Sequence, residues 1–101
     1  MSGGTTGVRV AHLLRVGGYL EGAIAALWMP NRRTESLLAM ARASLNEKSP
    51  GGKDEPFLEE VRALFEEAVS YRKKEDFAAA MARLRVAQDM ISLRIIELCE
   101  E

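Results

Sequence analysis

The chain has 101 residues, 48% of them hydrophobic and 29% charged, which fits one globular domain and excludes a wholly disordered chain. The net charge of −1 does not predict nucleic-acid binding through bulk charge. The single cysteine, Cys99, excludes an internal disulfide and a cysteine metal cluster, and it is typical of a reducing cytoplasm. Only 6% of the residues are aromatic, which favours packed helices over a sheet.

The N-terminal region predicts a flexible tail over residues 1–7, which are small and polar, followed by helix over residues 8–29. Gly17-Gly18 allows two interpretations: a break into two short helices, or one helix packed closely through small residues. Charged residues and His12 interrupt the apolar run, so we expect neither a membrane span nor an export signal, and no membrane among the partners.

The middle of the chain predicts a second helix and one long loop. Pro30 ends the first helix, and Asn31 or Thr34 is the expected N-cap of a helix over residues 32–46. Residues 47–55 contain Pro-Gly-Gly and are predicted as a loop.

The region from Phe57 to Leu98 predicts a helical hairpin around the charged turn 73–76. Asp54 and Asp76 are the expected N-caps of its two helices. The second helix carries two apolar stripes, and we expect the N-terminal helices or another chain to cover the second stripe, which consists of Val86, Met90 and Leu93.

These elements predict an all-α protein: a small antiparallel bundle of four helices, or five if the glycines break the first, built on the C-terminal hairpin. The expected organisation is a tail over residues 1–7 and a single domain over residues 8–101, with its loop at residues 47–55.

No catalytic constellation is evident in the sequence. His12 is the only histidine, and no serine or cysteine has a recognisable catalytic setting, so we predict a surface or interface histidine and no enzyme activity. Glu59-Glu60 and Glu66-Glu67 lie opposite the apolar stripe, where a solvated face is expected. We therefore predict no metal and no cofactor.

The first functional hypothesis is a cytoplasmic protein-interaction or scaffolding module that binds a protein partner or itself as a homodimer. The expected partner-binding residues lie on the first and last helices and are Trp28, Met29, Met81, Met90 and Leu93.

The alternative is a nucleic-acid-associated accessory protein. Residues 1–53 carry seven basic and three acidic residues, and Arg32, Arg33 and Arg42 would form a basic edge within residues 32–53. Residues 54–101 carry seven basic and twelve acidic residues, so attraction between the two halves explains the same asymmetry.

Residues 67–81 and 86–91 resemble a family of short archaeal helical-bundle proteins of unknown function. Asp76 and Phe77 match the family's turn, Ala80-Met81 its helix opening and Ala87 its small core position, and the resemblance covers residues 35–98. It departs from the family pattern at Gln88, Asp89 and Ser92.

Two further resemblances concern the hairpin. Its charged turn followed by an aromatic residue is similar to tetratricopeptide and microtubule-interacting-and-trafficking hairpins, which implies peptide binding in a helical groove. Residues 17–24 and Tyr71-Arg72 are similar to nucleotidyltransferase-partner (HEPN) helical domains, whose ribonuclease members carry Arg, four to six residues, then His. Here Arg9 lies three residues before His12, so that resemblance implies no ribonuclease site.

Overall fold

The structure, a computed structural model, describes residues 2–100, with side chains from Thr5 onward. Its helices are α1 (Ser2–Trp28), α2 (Thr34–Asn46), α3 (Glu55–Lys73) and α4 (Phe77–Glu100), and a short 3₁₀ turn spans Pro50–Gly52. No strand occurs in this part of the chain. The predicted all-α bundle is confirmed, with four helices.

Helix α1 is continuous through Gly17-Gly18, so the interpretation with a break is wrong. A Cβ atom on Gly17 would lie 3.4 Å from Cγ2 of Ile91, whereas one on Gly18 would meet nothing within 4 Å. The close approach of α4 at Gly17 offsets the cost of glycine within a helix. The helix begins at Ser2, inside the predicted tail 1–7, because extending a formed helix requires no new nucleation.

The helices pack as an antiparallel bundle in which α4 contacts both α1 and α3, and α1 also contacts α2. Helices α2 and α3 touch less, and Leu38 and Val69 line a groove between them. The ion pairs Arg42–Glu66 and Arg72–Glu35 bridge this groove.

The core lies along the inward faces of all four helices, as the apolar spacing predicts. Full burial of each large aliphatic or aromatic side chain contributes roughly 1.5–3 kcal/mol to folding. The largest apolar side chains with almost no exposure are Leu13, Val16, Leu20, Leu45, Leu58, Val61, Phe65, Leu84, Ile91 and Leu98.

The helix N-termini only partly follow the predicted caps. Oδ1 of Asp76 accepts a hydrogen bond from the Ala79 N–H at 3.1 Å, which confirms that cap. The N-cap residue of α2 is Arg33, which makes no side-chain cap, so the prediction of Asn31 or Thr34 is wrong, although Oδ1 of Asn31 accepts a hydrogen bond from the Arg33 N–H. Asp54 is the N-cap residue of α3, as predicted, but its side chain makes no capping hydrogen bond, because it is engaged in buried ion pairs.

One helix among the described residues, Thr5–Trp28, is long and apolar enough to cross a membrane by length and composition. Within the bundle, 44% of its most apolar window is buried. A soluble core helix and an N-terminal signal sequence pass the same test.

Candidate interaction surface

Exposed large apolar residues lie along the side of the bundle formed by α1 and α4. Leu14 is 59% exposed on α1, and Val86, Leu93 and Ile96 are 47%, 62% and 53% exposed on α4. We call these four residues the α1/α4 face. Because single exposed apolar residues are common but clusters are not, this face is the first candidate for a binding surface.

The register of α1 against α4 is fixed by contacts along their length. Nε2 of Gln88 donates to Oε1 of Glu21 at 3.3 Å, and Gly17 lies against Ile91. A shallow groove follows this seam, with Leu14 on one wall and the half-buried Ile95 on the other. The face is therefore carried by two helices that pack against each other.

The predicted partner-binding residues separate into three groups. Leu93 is exposed on the α1/α4 face. Trp28 and Met29 are also exposed, but they lie at the end of the bundle, where α1 turns into α2. Met81 and Met90 are half-buried and pack against the core.

Met81 and Met90 do not belong to one surface. Nine residues of helix separate them, which places them on opposite sides of α4 at about 100° per residue. They flank the buried stripe that contains Leu84 and Ile91. Met90 therefore borders Val86 and Leu93, which lie about 40° and 60° from it around α4, whereas Met81 lies on the opposite side of α4.

The predicted basic edge is not assembled as one cluster. Arg32 and Arg33 are exposed in the α1–α2 connection, whereas Arg42 lies on α2, about 13 Å further along the axis and on the other side of the helix from Arg33. Nε and Nη2 of Arg42 donate to the two carboxylate oxygens of Glu66, each at 2.8 Å. The guanidinium also lies 5.6 Å from the centroid of the Phe65 ring. The guanidinium of Arg42 is therefore already bound by groups of its own chain.

A buried ion-pair cluster joins three parts of the fold at the opposite end of the bundle. Asp54, which precedes α3, is fully buried. It accepts two hydrogen bonds from Arg9 of α1 and one from Nε of Arg94 of α4, at 3.2 Å. The hydrogen bonds from Arg9 lower the pKa of Asp54, although burial opposes the shift. This arrangement tethers the loop to both helices.

His12 lies in the same region and is buried, so the prediction of a surface or interface histidine is wrong at the level of the single chain. Neither imidazole nitrogen has a hydrogen-bond partner among the described residues. Burial, together with the positive charge of Arg15, lowers the pKa of His12, while Glu47, Asp54 and Glu55 act in the opposite direction. His12 is therefore held neutral near pH 7.

Glu55 fixes the neighbouring loop. Its carboxylate accepts hydrogen bonds from the Ser49 N–H and from Arg62, which also donates to the Leu45 carbonyl. The bond from Ser49, followed by that from Arg62, lowers the pKa of Glu55 to about 2. These contacts order the predicted loop 47–55 across the end of the bundle.

The sequence contains a signal for this cluster that the predictions above did not use. Arg9 lies four residues before Leu13, on the buried stripe of α1, and Arg94 lies three residues after Ile91, on the stripe of α4. An arginine on a core stripe is expected to pair with a buried acid, because an unpaired buried charge is costly. Asp54, which follows the loop glycines, is that acid.

No group of three or more His, Cys, Asp or Glu side chains that could hold a metal ion occurs in the part of the chain that the structure describes. Comparisons with protein-family models, with curated proteins and with solved structures give no significant match. The resemblances to the archaeal, tetratricopeptide-type and HEPN families stay predictions.

Proposed function

We propose that this protein is a non-enzymatic, cytoplasmic interaction module that self-associates through the α1/α4 face. The observation that carries the proposal is the exposure of Leu14 on α1 and of Leu93 and Ile96 on α4, two helices that pack against each other. Burial of these side chains against a second apolar face would be favourable, because it would remove their apolar surface from water.

The side of the bundle that carries the face is large enough for a second copy of the chain. Two helices wide and as long as α1, it measures about 20 by 40 Å, or roughly 800 Å². A standard protein interface buries about 800 Å² on each partner. The four apolar residues would form the centre of such an interface, since residues 86–96 of α4 span about 15 Å, and the polar residues around them would form its rim.

The charges at the margin of the face also suit two-fold pairing. Two charged residues are exposed on α4 beside these apolar side chains: Arg85, directly before Val86, and Asp89, between Val86 and Leu93. Neither forms an ion pair within the described chain. A two-fold axis places the same patch on both copies, so that Arg85 of one copy can face Asp89 of the other. Opposite charges on one patch permit self-pairing, whereas a patch of one sign would oppose it.

The experiment is light scattering on a sizing column across the micromolar range, at low and at high salt. We expect a dimer at both salt concentrations, and Leu93→Glu should convert it to a monomer because a carboxylate would be buried at the interface. Met40→Glu is the matched control, since Met40 is a similarly exposed apolar residue on α2, away from the face. A monomeric wild-type chain, or equal effects of the two variants, would overturn the proposal.

A further inference from the structure

A second exposed apolar cluster lies at one end of the bundle, away from the α1/α4 face. Trp28 and Met29 end α1 and are 67% and 77% exposed, and Phe77 begins α4 and is 50% exposed. Because α1 and α4 run antiparallel, the end of α1 and the start of α4 lie at the same end of the bundle. The ion pair of Arg72 with Glu35 places the end of α3 and the start of α2 there too.

Basic residues without an acidic partner flank these three apolar side chains along the chain. Arg32 and Arg33 follow Met29, and Lys73 and Lys74 precede Phe77; all four are exposed. None of the four forms an ion pair within the described chain. Residues 30–35 and 72–77 together carry a net charge of +2, whereas the whole chain carries −1. Positive charge is thus concentrated at the apolar end.

We infer that this end of the bundle, defined by Trp28, Met29, Phe77 and the four basic residues, docks on an anionic lipid surface. Apolar side chains that project from turns enter the boundary between headgroups and acyl chains, and tryptophan prefers that boundary. Lysine and arginine around them are attracted to anionic headgroups. The inference uses none of the α1/α4 face residues.

The composition of this end favours lipid over the other partners. Met29, the most exposed large apolar residue among those described, cannot stack on a base, whereas it can enter the acyl boundary. Two copies would bring like charges together if they met at this end. The exposed acids Glu75 and Asp76 reduce the positive field at this end for any anionic partner, but Asp76 is already engaged as the cap of α4.

Trp28 is the only tryptophan and therefore reports directly on docking. The full chain is titrated with phosphatidylcholine vesicles that contain roughly one-third phosphatidylserine, and with phosphatidylcholine vesicles alone. We expect a blue shift of the Trp28 emission and co-sedimentation with the anionic vesicles, both weakened by salt. No binding to anionic vesicles, or equal binding to neutral ones, would overturn the inference.

Two sets of variants localise the effect. Arg32→Glu with Arg33→Glu should lower the vesicle partition coefficient at least ~10-fold, since each basic residue near the surface contributes about 1 kcal/mol. Met29→Ser should reduce the blue shift while leaving Trp28 in place. Lys48→Glu with Lys53→Glu reverses two charges in the 47–55 loop, at the opposite end, and should leave binding within about twofold of wild type.

A single-stranded RNA oligonucleotide is the competing probe. If it binds more tightly than the anionic vesicles and displaces them, the end is a nucleic-acid site and the inference fails. If the control variant weakens vesicle binding as much as the Arg32/Arg33 variant does, binding is non-specific and the inference fails as well. Circular dichroism of each variant shows that the helices are retained.

Discussion

The guanidinium of Arg9 donates two hydrogen bonds to the carboxylate of Asp54, Nε to Oδ2 at 3.0 Å and Nη2 to Oδ1 at 2.8 Å. Both side chains are buried, and 45 residues of sequence separate them. Arg94 donates to Oδ1 of the same carboxylate. One acid therefore compensates two arginines and joins α1, α4 and the start of α3.

Asp54→Ala should destabilise the protein by about 3–5 kcal/mol, because it removes the carboxylate that compensates Arg9 and Arg94. The free energy of unfolding is measured by chemical denaturation at a fixed protein concentration. Glu66→Ala is the control: it removes the exposed ion pair with Arg42 and should cost at most about 1 kcal/mol. Equal losses in the two variants would contradict a special role for Asp54.

The buried His12 should make the protein less stable as the pH falls below about 6.5. Its pKa is lowered in the folded state, so between the folded and unfolded pKa values the unfolded chain binds more protons. Stability is then fully present above the unfolded pKa and is lost as the pH falls toward the folded pKa, with a slope of at most about 1.4 kcal/mol per pH unit.

His12→Leu tests this assignment in denaturation curves recorded from pH 7.5 to pH 5. The variant should lose the pH dependence in this window, and its stability near pH 7 should be close to wild type because no hydrogen bond of His12 is lost. Asp54 and Glu55 have lowered pKa values, so their contributions are present above their unfolded pKa values of 3.8 and 4.5 and are lost only below them. A variant that keeps the full slope between pH 7.5 and pH 5 would exclude His12 as its source.

Local patterns are sufficient to predict the four helices. The apolar spacing of Leu58, Val61 and Phe65 defines the buried face of α3, and Asp76 ends the turn before α4 by the capping chemistry its side chain favours. The effect of Gly17-Gly18 could not be predicted in the same way, because it depends on how closely α4 approaches Gly17 in the folded bundle.

The polar interior was predicted less well than the helices. Asp54 precedes a helix and therefore resembles an N-cap, but tertiary pairing with Arg9 outweighs local capping. His12 lies beside the core stripe of α1, where the 47–55 loop covers it, and a loop's path is not encoded in helical periodicity. The apolar stripe that contains Leu93 could be recognised in the sequence, but its exposure could not. Whether another helix covers that side of α4 depends on how the bundle packs.

The adjacent glycines of α1 offer a matched pair of substitutions. Gly18→Ala should stabilise the protein by about 0.5–1 kcal/mol, because alanine lowers the entropy lost on folding and nothing lies within 4 Å of the new Cβ. Gly17→Leu should destabilise it by about 1–3 kcal/mol, since its Cβ already lies 3.4 Å from Ile91 and the larger side chain must displace α4. Thermal and chemical denaturation measure both effects, and a stabilising Gly17→Leu would show that α1 and α4 are less closely packed.

The cap of α4 gives the last prediction. Asp76→Ala removes the hydrogen bond from the Ala79 N–H to Oδ1 and should cost about 1 kcal/mol, whereas Asp76→Asn keeps an acceptor and should cost less. The loss is expected in the unfolding free energy, and amide hydrogen exchange should rise first at Ala79, whose N–H loses its acceptor. Equal costs for the two variants would mean that the charge of Asp76 at the positive end of the helix, rather than its hydrogen bond, stabilises the start of α4.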